Sequence, residues 1–246
     1  MKKEEMAITV KDLHVYYRDM NRFSLKKGGL KARGSGKVFK AVKGVSFEVP
    51  KGQILGICGK NGSGKSTLLR AISGIFSPDS GSINLHGNSI SLLSIGVGFQ
   101  KQLTGYENIF LSGMLLGYSK EQIEEKINDI IEFSELGDFI YRPVRSYSSG
   151  MHSKLAFSIT AILETDIMLI DEVLSVGDIH FKEKSYNKMK ELISNDDRTV
   201  VIVSHNSNTI KELCNKVIWL HEGLIKDQGD PKDIMDKYEA FMRNEG

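Results

Sequence analysis

The feature that most limits what this chain can become is an eight-residue run, Gly59-Lys60-Asn61-Gly62-Ser63-Gly64-Lys65-Ser66, set between two differently patterned segments. Before it, Gly52 to Gly59 (GQILGICG) reads as a short buried strand ending in glycine. After it, Leu68, Leu69 and Ile72 follow the spacing of a helix that opens at Lys65. Strand, Gly-rich loop and helix in that order match G-x-x-x-x-G-K-[ST] in the context the motif needs. Glycines let successive backbone N–H groups turn toward phosphate oxygens, and the helix start adds the positive end of its dipole. Lys65 then suits the β- and γ-phosphates of ATP, and Ser66 offers a hydroxyl to Mg²⁺. Gly59, Lys60, Asn61, Gly62, Ser63, Gly64, Lys65, Ser66 and Thr67 are therefore the candidate nucleotide-binding set.

The rest of the chain is patterned like an α/β protein. Residues 6 to 17 and Ala41 to Val49 read as strands. Residues 104 to 140 are spaced as helices, with Ile123, Ile127, Ile130 and Ile131 on one side of a charged segment. Ile167 to Ile170 and Val200 to Val203 then alternate with helical stretches, as in parallel-sheet units, and Gly229 to Phe241 reads as a polar turn and a helix. In 246 residues, 33 Lys and Arg face 31 Asp and Glu, so no overall field favours nucleic acid. No run of apolar residues reaches membrane-spanning length, and Cys58 and Cys214 lack metal or disulfide spacing. A protein of a reducing cytosol is expected, reaching a membrane only through a partner.

Three further clusters carry chemistry. Asp171 and Glu172 close the apolar strand Ile167–Ile170, where neighbouring side chains point to opposite faces. Asp171 suits a Mg²⁺ shell, and Glu172 suits orienting or deprotonating an attacking water. Tyr147-Ser148-Ser149-Gly150-Met151 opens a helical run and makes a second Ser- and Gly-rich helix start, where Ser148, Ser149 and Gly150 can meet an anion. His205 follows the strand Val200–Val203.

In that order, phosphate loop, Ser/Gly helix start, acidic pair and histidine resemble the ABC ATPase family over essentially the whole chain. The resemblance implies one domain over 1–246, an ABC-type P-loop ATPase with a mixed β core sheet, an antiparallel β subdomain and a helical subdomain. Residues 1–103 and 151–246 would form the catalytic core and 104–150 the helical subdomain. It also implies that two copies pair head to tail. Each ATP would lie between one copy's phosphate loop and the other's Ser148 and Gly150. Ser175-Val176-Gly177-Asp178 resembles the D-loop, with Asp178 communicating between sites, and His205 resembles the switch histidine. Tyr17 stands where the family stacks adenine, with Tyr16 as its rival. Gln100 is either the Q-loop glutamine or an ordinary loop residue.

Tyr147, Ser149 and Met151 depart from the family's usual signature LSGGQ, and Val173-Leu174 replaces its Pro-Thr. Those variants, with Leu103-Thr104-Gly105-Tyr106-Glu107-Asn108, resemble ATPases that export polysaccharides. Residues 130–137 and 237–241 look most like the teichoic acid export ATPases of Gram-positive bacteria, with O-antigen exporters next. That resemblance implies a polytopic permease in two copies, a lipid-linked polymer as cargo and a peripheral position at the cytoplasmic membrane face. No carbohydrate-binding domain is expected after Gly246, so the permease would recognise the cargo. A nucleic-acid or ribosome ATPase, a small-solute importer subunit and a non-hydrolysing regulator are the rival expectations. One insertion stands apart: residues 18–43 hold nine basic residues and one acid, Asp19. With Met20, Phe23 and Leu25 as an amphipathic turn, this insertion is expected to lie under the bilayer.

Overall fold

The computed structural model describes residues 5–18, 38–93, 98–171, 178–193 and 198–244. Its centre is a six-stranded sheet of β3 (Ile54–Cys58), β5 (Ile90–Leu93), β6 (Ile167–Asp171), β7 (Thr199–Val203), β8 (Lys216–His221) and β9 (Leu224–Gly229). The spatial order is β5-β6-β7-β3-β8-β9, parallel throughout except for the antiparallel β8–β9 pair. A second sheet, β2-β1-β4, is antiparallel and consists of β1 (Met6–Arg18), β2 (Val38–Pro50) and β4 (Ser80–Asn84). The α/β class, the mixed sheet and the antiparallel unit are as expected. Strands β4, β5, β8 and β9 add to the expected set. Short, partly polar or edge strands such as β4, β5 and β9 lack the apolar run that marks β3, β6 and β7; β8 carries one, Val217 to Leu220, buried between β3 and β9.

Period-two alternation decides which core each strand residue enters. Ile167 and Leu169 of β6, Val201 and Val203 of β7, and Ile218 and Leu220 of β8 join one cluster. That cluster also holds Leu68, Leu69 and Ile72 of α1 (Lys65–Ile72) and the inner face of β1 and β2. Met168, Ile170, Val200, Ile202, Val217 and Trp219 point the other way. They meet α5 (Ile179–Ile193), α6 (Ser207–Leu213) and α7 (Pro231–Asn244). A sheet buried on both faces is what continuous apolar strands require.

The helical unit is built from α2 (Gly105–Leu115), α3 (Lys120–Ser134) and α4 (Ser149–Ile162), with 3-10 turns at Gly137–Tyr141 and Val144–Ser146. Both α2 and α3 open with a capping box, Thr104 with Glu107 and Ser119 with Gln122, which satisfies orphan N–H groups at the helix starts. Ile123, Ile127 and Ile130 of α3 face Ile109, Ile140, Leu155, Ile159 and Leu163. Cutting any fully buried isoleucine here to alanine costs about 2–5 kcal/mol. Helix α4 serves two cores, because its Phe157 and Ala161 pack with the sheet cluster while Leu155 and Ile159 pack with α3. It is thus the hinge member between the helical unit and the sheet.

Residues 19–37 of the basic insertion, and with them Met20, Phe23 and Leu25, lie outside the described residues. Its two ends are strand rather than loop: Arg18 pairs with Val38, and Tyr17 with Phe39. Strand β2 therefore begins at Val38, earlier than the sequence pattern places it, because pairing with β1 holds this exposed end in register. No helix among the described residues is long and apolar enough to cross a membrane.

Candidate functional site

The carboxyl ends of β3, β7 and β6 lie side by side, since β3 pairs with β7 and β7 with β6. Whatever follows these strands must gather at one edge of the sheet, the usual place for a ligand in such folds. The phosphate loop follows β3. Two backbone oxygens press on it: a Cβ on Gly59 (φ 149°) would stand 2.1 Å from the Leu220 carbonyl oxygen, and one on Gly64 (φ 103°) 2.3 Å from that of Ala41. Only glycine fits at either point, so the glycines are dictated by packing as well as by backbone freedom.

Gly64 caps α1 in the left-handed region, with no side chain closing the helix start and no acid in the first turn. Its N–H groups are left for an incoming anion. The Lys65 ammonium is buried and donates to the carbonyl oxygens of Gly59, at 2.7 Å, and Lys60, at 2.9 Å. Burial holds its pKa below the ordinary lysine value, while Cys58 and Asp171 pull it back up. Ser63 Oγ is buried without a hydrogen-bond partner among the described residues, an orphan inside the cradle. An open helix start, a buried ammonium and an orphan hydroxyl in one loop suit a phosphate oxyanion.

Asp171 ends β6 with the side-chain parity of Ile167 and Leu169, which aims it at the α1 face. There Ser66 Oγ donates to Asp171 Oδ1 at 3.2 Å. A hydroxyl and a carboxylate so close are the hard oxygen donors that Mg²⁺ prefers. His205 stands two residues beyond β7. Although solvent reaches the ring, partial burial lowers its pKa, the Lys65 cation lowers it further, and Asp171 opposes them. Lys65, Asp171 and His205 thus sense one another. Glu172 and the stretch Ser175-Val176-Gly177 lie outside the described residues.

Tyr17 and Tyr16 separate clearly. Tyr17 is 41 % exposed, shares a 3.0 Å hydrogen bond with Thr67 Oγ1 of α1, and sets its edge to Phe76. Tyr16 is engaged elsewhere, bonded to His14 Nδ1 at 2.9 Å with Lys40 over its ring. Only Tyr17 adjoins the phosphate-loop helix.

The second helix start is a separate pole. Ser148 caps α4 by accepting from the Met151 N–H at 3.2 Å, and Ser149 and Gly150 form a first turn without acid. Helix α4 packs on α2, α3, α5 and β5, whereas α1 packs on β1, β2, β6 and β7. The two candidate anion-binding helix starts belong to different parts of the molecule. Tyr147, where the family has leucine, donates its hydroxyl to the Phe139 carbonyl at 2.8 Å. A Cβ on Gly105 would stand 2.2 Å from that hydroxyl, so Tyr147 and Gly105 are two halves of one contact. Asn108 is fully buried: its Oδ1 accepts from the Gln100 N–H, and its Nδ2 donates to the carbonyls of Gln100, Leu103 and Thr104. Gln100 is therefore pinned through its backbone. In the sequence Gly105 and Asn108 stand out only as part of the run that resembles the family; the Thr104-x-x-Glu107 spacing marks the helix start beside them but not these contacts.

Asp178 accepts from the Phe181 N–H at 3.0 Å at the start of α5 and pairs with Lys154 at 2.9 Å. The lysine, with the Phe181 amide, holds its carboxyl down to about 2. Cys58 and Cys214 are free and buried, and burial pushes both thiols up to about 12.

Comparison with known proteins gives this geometry a context. Residues 42–175 match the family described as ABC transporter. The teichoic acids export ATP-binding protein TagH of Bacillus anthracis is 46 % identical over 203 residues, which are 82 % of this chain and 37 % of that protein. TagH of Staphylococcus epidermidis is 41 % identical, over 95 % of this chain and 86 % of that one. The O-antigen export system ATP-binding protein RfbB of Klebsiella pneumoniae is 41 % identical, over 84 % of each. The chain thus spans well under half of the B. anthracis relative. Among solved structures, an ATP-binding cassette dimer in a post-hydrolysis state with ADP and Pi superposes with a TM-score of 0.70 at 20 % identity, covering 91 % of this chain and 98 % of that one. An ATP-binding subunit of an ABC transporter gives 0.72 at 23 %, covering 95 % and 93 %. At those identities the likeness speaks for the fold.

Proposed function

Because this chain belongs to the ABC transporter family, we propose that it is the ATP-hydrolysing subunit of an exporter that drives a lipid-linked teichoic acid, or a related surface polysaccharide, outward through a separate membrane permease. The observation that carries the ATPase half is the 3.2 Å approach of Ser66 Oγ to Asp171 Oδ1 beside the Lys65 cradle. These two oxygens would hold Mg²⁺, which when bound neutralises charge on the phosphates. Lys65 leaves its loop carbonyls to meet phosphate oxygens. Tyr17 offers its exposed ring to the adenine beside Thr67. Glu172 orients or deprotonates the attacking water, and His205, kept neutral by its depressed pKa, can accept a hydrogen bond at that water or donate one to the γ-phosphate.

The separation of α1 from α4 supports a composite site. Ser148, Ser149 and Gly150 then serve the ATP bound to a second copy, head to tail, with Asp178 between the two sites. Closure on ATP and reopening after hydrolysis would move the permease. The exposed Leu115, Met114 and Tyr141 of the helical unit suit an apolar partner surface. Such a partner would hold the chain at the cytoplasmic face of the membrane.

The cargo rests on the relatives' names, and depletion in the source cells tests it. Wall-attached teichoic acid should fall while lipid-linked polymer accumulates inside. Normal teichoic acid with loss of another surface glycan would correct the cargo; no change in any glycan would overturn the exporter reading.

A further inference from the structure

Helices α3, α4 and α5 are joined by one cluster of charges. Lys154, on α4 a turn beyond Gly150, reaches Glu135 Oε2 at 3.1 Å and Asp178 Oδ2 at 2.9 Å. Glu135 also takes Lys184 of α5 at 3.0 Å, and the His180 ring lies 3.7 Å away. The Lys154 side chain is 14 % exposed, and its ammonium lies 4.9 Å from the ring centre of fully buried Phe181. Phe133 and Phe157 complete the aromatic floor, with the Lys184 ammonium 4.6 Å over Phe133. Such a floor keeps water from one side of the pairs and strengthens them.

The backbone tells the same story. Glu135 caps α3 in the left-handed region (φ 57°), a conformation that suits glycine or asparagine and strains other residues. Strain of this kind persists where surroundings hold it, and here two lysines hold the carboxylate. Burial alone would raise the Glu135 pKa, yet the hydrogen bonds from Lys184 and Lys154 bring it below the ordinary value. Lys154 moves the opposite way: burial would lower its pKa, and Asp178 and Glu135 raise it.

We propose that Lys154 is a positioning residue that locks the Ser148–Gly150 helix start to Asp178, so that the state of one ATP site is transmitted to the other. The inference rests on the head-to-tail dimer, in which α4 of one copy serves its partner's ATP while Asp171 and the residues leading to Asp178 serve its own. Among the described residues, Lys154 is a direct side-chain link between those two duties within one copy. Lost through a neutral replacement, it would leave α4 free to shift against α5 without disturbing the phosphate loop.

The test uses the purified chain and compares Lys154→Gln, Lys154→Arg and Glu135→Gly with the parent. Turnover is followed against ATP concentration, and binding of a fluorescent ATP analogue is read on the same samples. Lys154→Gln should lower saturated turnover about 10- to 100-fold, as loss of alignment does, and flatten a sigmoidal ATP dependence toward a hyperbola. Analogue affinity should stay within about twofold of the parent, well under the 1.4 kcal/mol of a tenfold change. Lys154→Arg should restore both turnover and sigmoidicity. Glu135→Gly, whose backbone suits the left-handed cap, should give the same change in milder form. A sigmoidal Lys154→Gln with near-parental turnover would overturn the proposal and leave the dimer standing. So would joint loss of turnover and analogue binding that arginine does not rescue, since that marks a merely structural lysine. A parent with hyperbolic kinetics would remove the coupling alone, since a dimer whose sites act independently also gives a hyperbola.

Discussion

The two helix starts proposed to bind anions are held in opposite ways. Around α1, backbone does the holding: carbonyls of Leu220 and Ala41 press against Gly59 and Gly64, and Lys65 folds onto the loop's own oxygens. Around α4, side chains do it: Ser148 caps, Tyr147 reaches Phe139, and Lys154 ties the helix to Glu135 and Asp178. A backbone-packed site tolerates almost no change of residue type. A side-chain-tied site tolerates several, provided each tie is replaced. Tyr147, Ser149 and Met151 depart from the usual signature on this second side, whereas the phosphate loop departs nowhere.

That contrast can be broken most severely at the chemistry itself. Glu172→Gln should reduce turnover by about 10²–10⁴-fold, the usual worth of a general base, with nucleotide still bound; near-normal turnover in a steady-state assay would remove Glu172 from the mechanism. Next comes Gly64→Ala. Its left-handed backbone alone costs about 1–3 kcal/mol, and the methyl group meets the Ala41 carbonyl as well. Nucleotide binding, measured by calorimetry, should be lost along with a clear drop in melting temperature. Gly105→Ala is its counterpart on the other side and should be milder, because the nearest obstructing atoms are side-chain atoms, the Tyr147 hydroxyl and, at 2.9 Å, the end of Ile140. Paired with Tyr147→Phe, the alanine should regain part of its stability, which thermal melts of the single and double variants would report; no recovery would mean that Ile140 and the backbone dictate this contact.

Smaller effects sharpen the picture. Tyr17→Ala should weaken ATP by about 0.5–1.5 kcal/mol, the worth of one aromatic contact, seen as a several-fold rise in KM, while Tyr16→Ala leaves KM unchanged. The smallest expected effect is one of pH on the Lys154 tie. Asp178 has its carboxyl depressed to about 2 and Lys154 its ammonium raised, so the tie weakens only as pH falls toward the first or rises through the second. Glu135, also depressed, stays charged with them. The ratio of parental to Lys154→Gln turnover should therefore be flat from about pH 6 to about pH 9; a slope across that window would contradict the tie.

Much of this was legible in the sequence because the phosphate loop is local. Strand β3, the eight-residue loop and α1 are consecutive, and β6 and β7 are apolar runs too dense to be anything but buried strands. Asp171 and His205 could be placed by following those strands to their ends. Hidden from a linear reading were contacts between distant residues: Gly105 beneath Tyr147, Asn108 holding Gln100, and Lys154 between Glu135 and Asp178. Each looks ordinary in its own neighbourhood and gains meaning only from a partner brought by the fold. Strands β4 and β9 escaped for another reason, since partly exposed edge strands carry no apolar run.

The central claim is that one copy's phosphate loop and another's Ser148 helix start complete a single ATP site. Sedimentation of the purified Glu172→Gln chain with and without ATP and Mg²⁺ measures it directly. The account predicts a monomer that doubles in mass when ATP is added, and that stays monomeric when Ser148→Arg is combined with it although ATP still binds. A chain that binds ATP and remains monomeric, or that pairs equally well with Ser148→Arg, would contradict it.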